Sequence, residues 1–141
     1  MMRIIALLNE KNHYLEKFYS LNEVELANFA QGQFDNLERF YQTREKILEV
    51  LKYVDSQIDK AQHELGDTAQ TDETVRAEAK ECLRIKDEYV ARIIEQDIQV
   101  LSCIEMAKNS IIKELQDSRR ARKAVGSYKA KDFHQRLDEE V

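Results

Sequence analysis

The sequence predicts an all-α protein, an antiparallel three-helix bundle with a long third helix followed by a short C-terminal helix or mobile tail. Three observations carry this expectation. The 141 residues include three Gly and no Pro, where average usage would supply roughly ten and seven. Few of the turns that sandwiches, barrels and doubly wound sheets require are therefore available. Apolar residues recur at spacings of three and four over long stretches, the periodicity of amphipathic helices. The chain is 43% hydrophobic and 35% charged with a mean hydropathy of −0.64, which is enough apolar content for one core and argues against global disorder.

The glycines, Gly32, Gly66 and Gly126, fall where the periodicity stops. In the first segment, Ile5, Leu8, Leu15, Tyr19, Leu26 and Phe29 form a stripe that Asn12 and Asn22 interrupt; this predicts a helix over about 3–30. Gly32 suits the left-handed residue that closes a helix without a Cβ penalty. Phe34, Leu37, Tyr41, Leu48, Leu51, Ile58 and Leu65 mark a second helix over about 34–65, with Arg44 filling one turn. Residues 66–72 read as a loop, in which Thr71 or Asp72 can cap the next helix. A third helix is expected over about 73–118. It carries one face of Val75, Ala79, Cys82, Tyr89, Ile93, Val100 and Cys103, and beside it another of Leu83, Val90, Ile94, Ile98, Leu101, Ile111 and Leu115. The bundle is thus expected over 1–118, with a basic segment and short helix or tail over 119–141, where Phe133 and Leu137 are the apolar contacts.

Length has a consequence. At 1.5 Å per residue, a third helix of about 46 residues exceeds a second of about 32 by about 20 Å. Residues 104–118 are then expected to project past the first turn, carrying Ile104, Ile111, Ile112 and Leu115. Grouped exposed apolar residues need a partner: the tail, a second copy or a client helix.

Net charge is −5, no footprint for nucleic acid or an anionic membrane. The charge is unevenly spread: residues 113–136 hold eight basic and three acidic side chains, a local +5 that leaves −10 for the rest. Arg119, Arg120, Arg122 and Lys123 either complement a helix C-terminus in water or meet an acidic partner. With only Tyr128 and Phe133 near them, they lack the aromatic interleaving of a nucleic-acid site. The apolar run Ile4 to Leu8 is too short for a signal peptide or a membrane span, so a cytoplasmic protein without membrane insertion is expected. Cys82 and Cys103 lie 21 residues apart. In one straight helix that is about 31 Å, too far for a disulfide, and two buried thiols are the simplest reading.

Catalytic signatures are missing. Glu10-x-x-His13 is half of a di-metal helix-bundle motif, but the residues three before His63 and His134 are Lys60 and Lys131. No metal, no cofactor and no enzymatic activity are expected. The paired carboxylates Glu23/Glu25 and Glu139/Glu140 read as solvated charges. Seven of the eleven aromatics (Tyr14, Phe18, Tyr19, Phe29, Phe34, Phe40, Tyr41) cluster around the first turn as a core end. One member of each adjacent pair, Phe18/Tyr19 and Phe40/Tyr41, must lean outward.

Several segments in order resemble a known family. After the first helix come Ala30-Gln31-Gly32-Gln33-Phe34-Asp35-x-Leu37 and Thr43-Arg44-Glu45-x-Ile47-Leu48. Then follow Ile94-x-x-Asp97-x-x-Val100 and Glu114-Leu115-x-x-Ser118-Arg119-x-x-Arg122-Lys123-Ala124-Val125-Gly126-Ser127-Tyr128. Over about 5–130 the chain resembles the flagellar type III export chaperones of the FliT/FlgN kind. The resemblance implies a small cytoplasmic helical chaperone. Such a protein holds the C-terminal helical segment of a filament-cap or hook–filament junction protein and delivers it to the export gate, some members also contacting the export ATPase. It implies that Tyr128 serves export-gate binding, and that the second and third helices bind client under a C-terminal helix that can cover them. The longer polar tail, Lys131 to Val141, departs from that pattern. Ile94, Leu101, Ile104, Ile111, Ile112 and Leu115 are the expected client-binding residues; permanent burial against residues 127–140 or a dimer mate is the alternative. The rival function is a non-enzymatic coiled-coil adaptor or regulator acting as a homodimer. It calls for a continuous heptad stripe, whereas the apolar face of the third helix drifts and widens as a bundle helix does.

Overall fold

Gly32 ends the first helix by a mechanism that the computed structural model shows in full. The model describes the backbone of residues 1–66 and 72–140 and the side chains of 1–66 and 72–127. Helix α1 spans Met2–Ala30, α2 spans Leu37–Leu65 and α3 spans Glu73–Glu140. The Gly32 N–H donates to the Phe29 carbonyl at 3.0 Å and the Gln33 N–H to the Asn28 carbonyl at 2.9 Å. With Gly32 at φ +76°, this is a Schellman closure, in which two orphan carbonyls are satisfied by a residue that needs no Cβ. Helix α2 starts three residues later than the periodicity suggests. Phe34 leaves the helix and stacks on Phe29, rings 5.2 Å apart and 8° from parallel, so the turn takes its aromatic into the core.

The all-α bundle is as expected, and its core lies within a first compact unit, Met1–Cys103; Ile104–Val141 form a second. In the first unit α2 runs antiparallel to α1: Arg3 reaches Gln57 and Glu64 at one end, and Phe29 meets Phe40 edge-on at the other. Helix α3 returns parallel to α1, with Asn12 bonded to the Cys82 carbonyl and Asn22 to Gln96.

Two apolar layers stack along the bundle. Ile4, Ile5, Leu8, Val54, Ile58, Ala61 and Cys82 form one, and Leu15, Phe18, Leu51 and Ile93 the next. Each large side chain fully buried in them is worth about 1.5–3 kcal/mol. The asparagines do not interrupt the α1 stripe; they occupy it. Residues 5, 8, 12, 15, 18, 22 and 29 are all buried, and Asn12 and Asn22 are there because partners on α3 satisfy their amide N–H groups. On α2 the inward row is Phe40, Arg44, Leu51, Val54, Ile58 and Ala61, while Tyr41 and Leu48 fall one residue off it and are exposed. On α3 the row through Cys82, Ile93 and Val100 is buried as expected, and Gln96 joins it.

The break expected at Gly126 is absent, since α3 continues through it to Glu140. Glycine inside a helix costs about 1 kcal/mol relative to alanine, too little to end a helix whose neighbours Ala121, Lys123 and Ala124 favour it. Positive φ is found only at Gly32 and Gly66 among the described residues.

Candidate functional site

A cleft opens between α2 and α3 in the first unit. Its floor is Leu15, Phe18, Leu51 and Ile93, its walls are Leu48, Val90 and Ile94, and its volume is about 170 Å³. The walls are exposed because the two helices present residues one position off their inward rows: Leu48 beside Ile47, Val90 beside Tyr89 and Ile94 beside Ile93.

Arg44 and Asp97 also line the cleft. The Arg44 guanidinium donates to Asp97 Oδ1 at 2.8 Å, and its side chain is only 15% exposed. It lies over three rings, with centroid distances of 5.0 Å to Phe18, 5.1 Å to Phe40 and 5.8 Å to Tyr41. A planar, weakly hydrated cation suits this setting where an ammonium would not. Burial pushes the Asp97 carboxyl above its ordinary value, and the Arg44 charge beside it only partly opposes this. The aromatic pairs flanking this arginine divide as helical geometry requires. Phe18 and Phe40 turn inward, Tyr41 faces solvent, and half-buried Tyr19 packs edge-on against Tyr89.

Along α3 within the first unit, Val90, Ile94, Ile98 and Leu101 are exposed, the last three by more than half. Of the expected client-binding residues, Ile94 and Leu101 therefore lie on this open face, and Ile94 also walls the cleft. In the second unit Ile111, Ile112 and Leu115 are exposed, and Ile104 is half-buried. The basic run Arg119, Arg120, Arg122 and Lys123 is exposed as well. Tyr128, Phe133 and Leu137 lie outside the residues whose side chains are described.

Sequence reading passed over the cleft itself. The signal that could have found it was Arg44 on the inward row of α2, a cation that needs both an anion and ring faces. Asp97 is the half-buried acid on α3 that supplies the first. His13 is exposed and packs edge-on to Tyr14. Among the described residues, no three His, Cys, Asp or Glu side chains come together as a metal site would need, and no helix is long and apolar enough to cross a membrane. No known protein family, curated protein or solved structure matches the chain.

Proposed function

We propose that the protein is a binding protein without catalytic activity, a chaperone that holds an amphipathic helix of its client against the α2–α3 face. The observation that carries this reading is the open line Val90, Ile94, Ile98 and Leu101 beside a cleft floored by core residues. A client helix presenting apolar residues at i, i+3, i+4 and i+7 can lay them along such a line and seat one side chain in the cleft. The client's own apolar stripe would otherwise be exposed before assembly.

The resemblance to flagellar export chaperones names the client class. It would be the C-terminal helical segment of a filament-cap or hook–filament junction subunit, passed on in the cytoplasm to the export gate through Tyr128, with the export ATPase as a further contact. The test is co-purification with the tagged chain from a flagellated bacterium, read by mass spectrometry. A cap or junction subunit as main partner, lost in Ile94→Asp and Leu101→Asp variants, supports the reading. A nucleic-acid factor as main partner, or a flagellar partner indifferent to both variants, overturns it. Tyr128→Ala should keep the client and lose the gate protein; equal gate binding removes that role.

A further inference from the structure

Once the buried row of α3 (Cys82, Ile93, Gln96, Val100) is set aside, the residues left outside it are not a drifting face. Ile98, Leu101, Glu105, Lys108, Ile112 and Leu115 follow one another at spacings of three and four, the a and d positions of a heptad. All six are exposed. The apolar members fall in two pairs. Ile98 and Leu101 belong to the first compact unit, Ile112 and Leu115 to the second, and the only charged positions in the row, Glu105 and Lys108, stand between them in sequence.

That order is its own complement when reversed. We infer that α3 is a docking surface for a second copy of this chain, paired antiparallel about a two-fold axis between Met106 and Ala107. In that pairing Ile98 of one copy meets Leu115 of the other, and Leu101 meets Ile112. Glu105 meets Lys108, and by symmetry Lys108 meets Glu105. The interface is isologous and closed, as a two-fold dimer requires. The flanks agree. Ile104 falls opposite Ile111, and Glu88 opposite Lys123, so the acidic early part of α3 meets the basic later part of its partner. A parallel pair in register would instead set Glu105 against Glu105 and Lys108 against Lys108, a like-charge layer at the seam. The polar layer thus specifies orientation and register, as single polar a and d residues do. It also explains why the stripe looked discontinuous in sequence: its two central positions are charged, and the buried row runs beside it.

The pairing stands on these rows and charges alone. One consequence rests on the function proposed above: a client that uses Ile94 and Leu101 has to displace the second copy.

The test is charge reversal with the full chain, read by light-scattering mass across a concentration series. The wild-type protein should run at twice the 16.6 kDa of one chain. Glu105→Lys alone and Lys108→Glu alone each place like charges at both symmetry-related contacts, and should raise the half-dissociation concentration by about tenfold or more. The double variant restores opposite charges and should restore the dimer. Both positions are exposed, so circular dichroism should be unchanged throughout. Mixed Ile98→Cys and Leu115→Cys chains should cross-link to each other. A wild-type mass of 16.6 kDa at every concentration, a dimer indifferent to the single reversals, or an Ile98→Cys chain that cross-links chiefly to its own kind overturns the inference.

Discussion

Arg44 on α2 and Asp97 on α3 join at 2.8 Å at the α2–α3 cleft, and the same guanidinium lies over the rings of Phe18 and Phe40. One side chain therefore closes an ion pair, packs on two buried rings and lines the proposed client cleft. Arg44→Ala should lower the urea-unfolding free energy by about 2 kcal/mol, because it removes ring contacts and leaves a half-buried carboxylate. Arg44→Lys should recover only part of that loss, since an ammonium keeps the charge and not the planar stacking. A lysine variant as stable as the native protein would show that stacking on the rings contributes nothing.

The same pair sets a pH dependence. Burial raises the Asp97 carboxyl from its ordinary 3.8, so the folded protein holds this proton more tightly than the unfolded chain does. The resulting stabilisation is fully present below the unfolded value and is lost as pH rises through the folded value. Asp97→Asn removes this titration. The stability of the native protein relative to Asp97→Asn should therefore improve on acidification from neutral pH toward 4, as measured by denaturant midpoints at matched ionic strength. A difference that moves the other way would mean that the Arg44 charge outweighs burial.

Much of the fold was legible because three helices in a bundle leave a simple trace: apolar residues at three and four, and glycine at the ends. What was hidden were positions where a polar residue does a core residue's work. Asn12 and Asn22 read as interruptions because composition alone cannot say whether an amide has a buried partner, and Gln96 was invisible for the same reason. The cleft was hidden because it depends on which of two neighbouring rows faces inward. Tyr41 and Leu48 read as sharing the core row with Leu51 and Ile58, whereas Phe40 and Val54 are the residues buried beside those two. On α3 the inward face was legible at Cys82, Ile93 and Val100, which are apolar, and not at Gln96, which is polar.

The buried amides give a direct test of that account. Asn22 is fully buried; its amide donates to Gln96 Oε1 at 3.1 Å, and the Gln96 amide in turn reaches the Tyr19 carbonyl and Glu23. Asn22→Leu alone should cost about 1–3 kcal/mol, because it strands a buried Gln96 oxygen. Adding Gln96→Leu removes the stranded oxygen and should return much of the loss. A double variant no more stable than Asn22→Leu would place the cost in shape instead of in unsatisfied polarity.

The two cysteines should differ in reactivity. Cys82 is buried and points its thiol at Asn9 Oδ1, 3.2 Å away. Burial raises its pKa, and Glu78 and Glu81 add to the effect. Cys103 is half-buried. Because the thiolate is the reacting species, alkylation at pH 8 should label Cys103 first and Cys82 about tenfold more slowly or less. In denaturant the two rates should converge. Comparable rates in the folded protein would mean that α3 opens from α1 far more often than its packing implies.

The glycines separate the two roles the sequence could not distinguish. At Gly32, where φ is +76°, a Cβ would meet nothing within 4 Å, so any cost of Gly32→Ala is conformational: about 1 kcal/mol for a left-handed alanine, with Gly32→Asn costing less. At Gly126 a Cβ also meets nothing within 4 Å, but the backbone there is helical. Gly126→Ala should therefore gain helix content, by about 0.5–1 kcal/mol of local stability. Hydrogen exchange of the amides around residue 126 reads that gain more directly than global unfolding, which reports on the core of the first unit. Slower exchange in Gly126→Ala, together with a loss of global stability in Gly32→Ala, is the expected pair of results. A Gly126→Ala variant that exchanges faster would put back the break that the sequence suggested at this position.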